Sequence, residues 1–200
     1  MCTTMKSVLI VDDDRVILNL LAEGLRNLDY VVATAICGED AQHLAVTQTF
    51  DLAMLDVRMP GMSGLELARL FRAQGGPPFV FLSAFGDEAV VHEAAAAGAL
   101  GYLVKPVDIR QIVPLIESAS ARAREIQQLR DAAIHLEKAL SSEQKTRTAV
   151  GVLMLDKGLD REAAFELLRS QARSQRRRIG ELSEELIAAA EAGNRSRRKA

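Results

Sequence analysis

Short runs of consecutive apolar residues alternate with amphipathic stretches through the first half of the chain. The apolar runs cover residues 7–11, 30–35, 52–55, 79–82 and 101–104. Between them, apolar residues recur at the three- and four-residue spacing of a helix, or the segment is rich in alanine. Short strands that are apolar on both faces and alternate with helices predict a parallel sheet with helices on both sides. The pattern therefore predicts an α/β fold, in which ligands bind at the carboxyl ends of the strands.

After Asp108 the pattern changes to a seven-residue repeat of apolar positions. These positions are Ile112, Leu115, Ala119, Ile126, Leu129, Ala133, Leu136 and Leu140. The repeat predicts one long helix over residues 109–148, with Pro114 in its first turn, where proline is tolerated. Such a seam, although Arg122 and Glu143 interrupt it, favours a coiled-coil homodimer. The alternative is a helix that packs back on its own chain.

The last part of the chain carries the signals of shorter helices. One helix is expected to end near Lys157, Asp160 is suited to cap the next, and a third includes Ile179 and Leu182. The organisation predicted from these patterns is a first domain over residues 1–120, the long helix over 109–148, a small three-helix domain over 143–190 and a basic tail over 191–200. The tail is expected to be frayed over residues 194–200.

Composition narrows the class of protein. Hydrophobic residues make up 48% of the 200-residue chain, which is enough for a core. No apolar stretch reaches about 18 residues, and the N-terminal segment lacks the apolar part of a secretory signal. Cys2 and Cys37 form neither a disulfide framework nor a metal-ligand spacing. We therefore expect a cytoplasmic protein that does not contact a membrane.

Charge is distributed unevenly along the chain. Residues 1–140 contain 12 Lys/Arg and 18 Asp/Glu, a net charge of −6, whereas residues 141–200 contain 13 Lys/Arg and 9 Asp/Glu, a net charge of +4. The basic part is suited to meet an anionic polymer, although a solvated helix surface has the same composition.

Chemistry-bearing side chains follow four of the predicted strands. Asp12 and Asp13 follow the first strand, Asp56 the third, Ser83 the fourth and Lys105 the fifth. Clustered carboxylates repel one another unless a cation neutralises them, and hard oxygen ligands suit Mg²⁺. One aspartate is then able to attack phosphorus, with the cation and the ammonium group stabilising the transferred charge. Singly, these residues have ordinary interpretations as caps, turns or surface groups; the ordered set is far more specific.

The same segments resemble the receiver domain of bacterial two-component response regulators over residues 7–120. The matching segments are residues 8–14, 55–64, 82–84 and 98–106. The resemblance implies a flavodoxin-like, doubly wound sheet of five parallel strands and transfer of phosphate from a sensor histidine kinase to Asp56.

The receiver resemblance also implies roles for individual residues. Asp13, Asp56 and the main-chain carbonyl of Arg58 would bind Mg²⁺, with Asp12 assisting through water. Lys105 would contact the phosphoryl group, and its bond to Pro106 would be cis. The hydroxyl of Ser83 would contact the phosphoryl group and form a switch pair with Tyr102, which would turn inward on phosphorylation.

Residues 143–190 resemble the ANTAR domain, an RNA-binding antitermination module. The matching segments are residues 149–154, 158–159, 162–169, 172 and 182–187. The resemblance implies binding to RNA hairpins. Phe165 is the only aromatic residue after Tyr102, so arginine and lysine must supply most of the contacts. The candidates are Arg147, Lys157, Arg161, Arg169, Arg173, Arg176, Arg177 and Arg178. Val150 stands where the family usually has a basic residue.

Two functions are consistent with these features. The first is a phosphorylation-controlled regulator that binds hairpins in nascent transcripts and promotes antitermination. The alternative is a response regulator that acts through protein–protein contacts without binding RNA. A phosphatase with an aspartate nucleophile is disfavoured, because Val57 and Arg58 follow Asp56 where such enzymes carry a second carboxylate. We therefore expect a phosphoryl-accepting signalling protein rather than an enzyme.

Overall fold

The computed structural model describes residues 6–84 and 88–197. The chain divides after Gln127 into two compact units, and one helix, α5, supplies residues to both. The elements of the first unit are β1 (Ser7–Val11), α1 (Arg15–Arg26), β2 (Val31–Ala35), α2 (Gly38–Thr47), β3 (Leu52–Asp56), α3 (Gly64–Gln74), β4 (Phe79–Ser83), α4 (Glu88–Ala97), β5 (Tyr102–Val104) and the beginning of α5 (Ile109–Lys157). Within the described ranges, no helix is both long and apolar enough to cross a membrane.

The first unit is built on a sheet of five parallel strands in the order β2-β1-β3-β4-β5. Strand side chains alternate between two cores: Leu9 of β1 packs with residues of α2, α3 and α4, whereas Val8 packs with residues of α1 and α5. The central strands β3 and β4 are buried at every position. Both faces of the sheet are thus covered, as the continuously apolar runs predicted, and the α/β fold is confirmed.

Local signals explain where several helices begin and end. The carboxylate of Asp14 accepts hydrogen bonds from the amides of Val16 and Ile17 at the start of α1. Ser63 and Glu66 form a reciprocal capping box at the start of α3. The helical spacing of apolar residues after the first strand continues to Leu28 and predicts a helix to that point, but α1 ends at Arg26, and Leu28 lies outside it and is half exposed.

Two predictions about the long helix were wrong. Pro114 lies at the sixth position of α5, beyond the first turn, because the helix already begins at Ile109, after Asp108, whose carboxylate accepts a bond from the amide of Arg110. The helix also continues without a break to Lys157 instead of ending near residue 148.

The seam predicted for a partner is divided by the fold. Its first members, Ile112, Leu115 and Ala119, pack in the core of the first unit, so there the alternative of packing on the same chain is correct. Leu129 and Leu136, further along α5, are 65% and 62% exposed. The sheet needs a cover for its apolar face, and the beginning of α5 supplies it.

The second unit consists of the remainder of α5 together with α6 (Arg161–Ser174) and α7 (Ile179–Arg197). Ala149, Leu153, Ala164, Leu168 and Leu182 form its small core with partly buried neighbours. The helix α7 continues to Arg197, so the prediction of a frayed tail from residue 194 was wrong up to that point. The end of the predicted tail, residues 198–200, and Cys2 lie outside the described residues.

Candidate functional site

Three aspartates gather at the carboxyl ends of β1 and β3. Asp12 and Asp13 directly follow β1, and Asp56 is the last residue of β3, its neighbour in the sheet. Each offers a carboxylate oxygen, and these oxygens lie within 4.8 Å of one another. Asp12 and Asp56 are buried, whereas Asp13 is exposed. This donor set fits a small, hard cation that also retains water ligands, as Mg²⁺ does.

Lys105, which directly follows the edge strand β5, brings a positive charge to the carboxylates. Its Nζ donates to Asp12 Oδ2 at 2.6 Å and to Asp56 Oδ1 at 2.8 Å. The main-chain amide of Lys105 donates to the carbonyl of Ser83 at 2.7 Å, which holds the end of β5 beside β4. The Lys105–Pro106 bond is cis, as the resemblance to the receiver domain implied. The remaining oxygen of Asp12, Oδ1, accepts the amide of Asp14 at 3.0 Å.

Burial and charge perturb the titration of this cluster. Burial raises the pKa of Asp56; Lys105 lowers it in part, and the charges of Asp12 and Asp13 raise it again. Burial alone would lower the pKa of Lys105, but hydrogen bonds to Asp12 and Asp56 outweigh it and raise that pKa. Burial is the largest cause of the raised Asp56 pKa, so one ammonium group does not fully stabilise the charged carboxylate, and a bound cation would stabilise it further.

Three other predicted residues surround the cluster. Ser83 ends β4 and is buried. Tyr102 begins β5, where it is paired with Phe81 and half-buried against the core on the α3–α4 side. Arg58 is exposed in the loop two residues after Asp56. The fold thus places six of the seven predicted receiver residues at or just beyond the carboxyl ends of β1, β3, β4 and β5, whereas Tyr102 lies two residues before the carboxyl end of β5.

A close backbone approach positions Asp56. The amide of Gly64, the first residue of α3, donates to the carbonyl of Val57 at 3.1 Å. A Cβ on Gly64 would lie 1.9 Å from the main-chain oxygen of Asp56, so only glycine fits. In the sequence, Gly64 stood out only as the last residue of the segment 55–64 that resembles the receiver domain; its place directly after the capping Ser63 was the available signal.

The eight basic residues predicted to contact RNA are all exposed in the second unit. Four have acidic partners: Arg147 with Glu143, Lys157 with Asp156, Arg169 with Glu166 and Arg177 with Glu185. Within residues 6–84 and 88–197, the side chains of the other four have no such partner. These are Arg161, Arg173, Arg176 and Arg178.

The turn between α6 and α7 concentrates the unpaired charge. Arg176 has a φ of 52°, in the left-handed region where glycine usually ends a helix. The amide of Arg177 donates to the carbonyl of Ala172 at 3.0 Å and closes this turn. An arginine is thus held where glycine would be less strained.

Comparison with known proteins agrees with this architecture. The family model of the response regulator receiver domain matches residues 8–117, and that of the ANTAR domain matches residues 135–187. The transcriptional regulatory protein PdtaR of Mycobacterium tuberculosis is 33% identical over 183 residues, which cover 91% of this chain and 89% of PdtaR. The chain belongs to the response regulators, with a receiver domain followed by an ANTAR domain.

The chain is also similar to solved structures of response regulators. The chemotaxis protein CheY4 of Vibrio cholerae is 31% identical with a TM-score of 0.56; the match covers 58% of this chain and 99% of CheY4. The response regulator StyR is 26% identical with a TM-score of 0.64, and the match covers 91% of this chain and 100% of that structure.

Sequence reasoning missed a second polar cluster, which lies at the opposite end of the sheet. Tyr30, before β2, donates to Glu117 of α5 at 2.8 Å, and Lys6, before β1, pairs with the same carboxylate. Burial and the Glu117 contact raise the pKa of Tyr30 to about 12. These residues are up to 111 positions apart, so no local pattern predicts the contact.

Proposed function

We propose that this protein is a phosphorylation-controlled, RNA-binding regulator of transcription antitermination. The observation that carries the proposal is the joint presence, on one chain, of the Asp12–Asp13–Asp56–Lys105 cluster and an ANTAR domain with unpaired exposed arginines. The acidic cluster accepts the phosphoryl group, and the arginines bind RNA.

Asp56 is the proposed phosphoacceptor. Its carboxylate attacks the phosphorus of a phosphohistidine on a sensor kinase, the nitrogen–phosphorus bond breaks, and an aspartyl phosphate forms. Lys105, which contacts Asp56 in the unphosphorylated protein, transfers its hydrogen bond to a phosphoryl oxygen. Asp13, Asp56 and the carbonyl of Arg58 are the proposed Mg²⁺ ligands, with Asp12 assisting through water, and the ion would supply further positive charge at the phosphoryl group.

Ser83 and Tyr102 are the proposed switch. The hydroxyl of Ser83 binds the new phosphoryl group, and the ring of Tyr102, half-buried in the unphosphorylated protein, moves further inward. The surface of β5 and its neighbours changes as a result. To convert a mostly inactive population into a mostly active one, phosphorylation must favour the active state by roughly 3–5 kcal/mol.

The proposed RNA surface is centred on the turn between α6 and α7. Arg173, Arg176 and Arg178 are exposed and without acidic partners among the described residues, so they are available to phosphate. Arg161 at the start of α6 is equally available, whereas Arg147, Lys157, Arg169 and Arg177 must exchange a carboxylate for phosphate.

A homodimer through the long helix remains part of the proposal, with a shorter seam. Leu129, Leu136 and Leu140, which share one face of α5, are 65%, 62% and 58% exposed. Such a concentration of exposed apolar side chains on one helix is typical of a partner interface. We propose that residues 129–140 form this seam, since residues 112–119 are already covered by the sheet.

The test is RNA binding by the purified protein. A pool of hairpin RNAs is titrated with and without beryllofluoride and Mg²⁺, and Asp56→Ala is compared with Asp40→Ala, which removes an exposed aspartate outside the cluster. We expect beryllofluoride to strengthen selective binding in the wild type and in Asp40→Ala but not in Asp56→Ala.

Each contrary result has a distinct meaning. Selective binding that beryllofluoride leaves unchanged would refute the control by phosphorylation and retain RNA binding. The absence of selective binding in either state would refute antitermination and favour the alternative function, in which the exposed face of α5 binds another protein.

A further inference from the structure

A groove of about 870 Å³ runs between α5 and α6 in the second unit. The helix α5 contributes Arg147, Val150, Gly151 and Met154 to it, which are three or four residues apart and so share one face. Phe165 of α6 faces them. The volume lies in the range of small-ligand sites, and the groove uses none of the receiver residues.

Close packing does not explain why a glycine stands at position 151 in this groove. Glycine is the least favourable residue in a helix interior after proline, so its presence there needs a reason. A Cβ at Gly151 would meet no atom within 4 Å, whereas a Cβ at Gly180 would lie 2.9 Å from the hydroxyl of Ser142. Gly180 therefore allows two helices to approach, but Gly151 only leaves space in the groove.

Phe165 separates this groove from a second, basic one. The side chain is 39% exposed although it is the only aromatic residue of the second unit. On its other side it borders a groove of about 590 Å³ lined by Arg169, Arg173, Arg176 and Arg177. An exposed aromatic ring with arginines beside it matches the way proteins bind single-stranded RNA, with bases stacked on rings and phosphates on basic groups.

The two grooves differ in charge. In the Gly151 groove, Arg147 is paired with Glu143 at 2.6 Å. Arg161 forms no ion pair among the described residues, but Glu162 also lines the groove, so two positive and two negative side chains line it and their formal charges balance. Its apolar lining includes Val150, which is 5% exposed. A neutral rim with both donors and acceptors suits the edge of a base, which carries both; a phosphate only accepts.

We propose that the Gly151 groove receives one unstacked base of an RNA loop, which stacks on Phe165, while the arginines of the neighbouring groove hold the flanking phosphates. This inference rests on the proposed RNA-binding function and adds the place of the base. A second copy of the chain is a less suitable occupant, because interface cores are depleted of charged residues and four charged side chains line this groove.

The test begins with a hairpin RNA selected on the full-length wild-type protein from a pool with a common stem and a randomised loop. Affinity is measured by fluorescence anisotropy at several salt concentrations for Phe165→Ala, Phe165→Tyr and Gly151→Leu. Leu155→Ala is the control, because Leu155 lies one turn after Gly151, is 90% exposed and does not line the groove. Helix content and oligomeric state are measured for every variant.

We expect Phe165→Ala and Gly151→Leu to weaken binding about tenfold or more, because one stacked base is lost. Phe165→Tyr and Leu155→Ala should bind as the wild type does. The salt dependence should stay unchanged in the Phe165 and Gly151 variants, whereas Arg173→Ala should lower the slope of log K against log salt by about 0.7, the value for one phosphate on a single strand. A 5-iodocytidine scan of the loop should yield a photo-crosslink to Phe165.

Several results would overturn the inference. Wild-type affinity of folded Phe165→Ala and Gly151→Leu, or crosslinks from the loop that avoid Phe165, would place the base elsewhere. An altered oligomeric state in the Gly151 variant with unchanged RNA affinity would assign the groove to a second copy. If the wild type selects no hairpin at all, the proposed function fails and the inference fails with it; if the wild type binds but the variants do not differ from it, only the inference fails.

Discussion

Replacing Gly64 by alanine should destabilise the first unit and displace Asp56. The new Cβ would lie 1.9 Å from the main-chain oxygen of Asp56, where real contacts stay above 3.0 Å, so the start of α3 and the end of β3 must separate by at least 1.1 Å. Overpacking of this kind costs about 1–3 kcal/mol. Loss of the bond from the Gly64 amide to the Val57 carbonyl adds about 1 kcal/mol. The better helix propensity of alanine returns about 1 kcal/mol, so the expected net loss is about 1–3 kcal/mol.

The assay is urea unfolding followed by tyrosine fluorescence. Both tyrosines, Tyr30 and Tyr102, belong to the first unit and the chain has no tryptophan, so the signal reports that unit alone. Gly151→Ala is the matched control: its Cβ meets no neighbour, and it should stabilise the second unit by about 0.5–1 kcal/mol, measured by circular dichroism. An unchanged tyrosine-monitored midpoint in Gly64→Ala would refute the argument from close approach.

Three further predictions test the two units separately. Mg²⁺ at ten times its Kd should stabilise the first unit by about 1.4 kcal/mol and so raise its melting temperature. Asp13→Asn should abolish this rise in melting temperature, and an equal rise in the variant would exclude Asp13 as a ligand. In a Tyr102→Phe background, the absorbance of Tyr30 should titrate near pH 12, and Glu117→Gln should lower that midpoint. Because the pKa of Tyr30 in the folded protein is raised above the usual 10, the stabilisation from this contact is complete below pH 10 and is lost as pH rises towards 12. A midpoint at pH 10 in the native protein would contradict the contact between Tyr30 and Glu117. Arg176→Gly should raise the stability of the second unit by about 1 kcal/mol in thermal melts while weakening RNA binding; a destabilised variant would refute the strain assigned to this turn.

The candidate receiver site was largely predictable because strand ends carry their own signals. Each of Asp12, Asp56 and Ser83 follows or ends an apolar run, and the carboxyl ends of parallel strands lie at one edge of a sheet. Their gathering around Lys105 is therefore a consequence of strand order. The chemical roles of these residues remain predictions that the experiments above address.

The long helix illustrates where sequence reasoning was insufficient. A seven-residue repeat has the same appearance whether the partner is a second chain or the chain's own sheet. Ile112 and Ala119 are covered by that sheet, whereas Leu129 and Leu136, in the same repeat, are exposed. What distinguishes these two parts is how much of the helix the sheet covers, and that overlap is a property of the tertiary structure.

By itself, the sequence determined the alternation of strands and helices, the positions of the chemistry-bearing residues at strand ends, the cap at Asp160 and the two-part organisation. These features depend on periodicity and on neighbours a few residues apart, so they can be read from local patterns. The tertiary structure alone decided that Lys105 bridges Asp12 and Asp56, that Gly64 must be glycine and which arginines lack acidic partners. Each of these depends on distances between groups brought together by packing, and Lys105 and Asp12 are 93 residues apart in the chain. Local patterns contain no information about such distances until the sheet order and the helix packing are established.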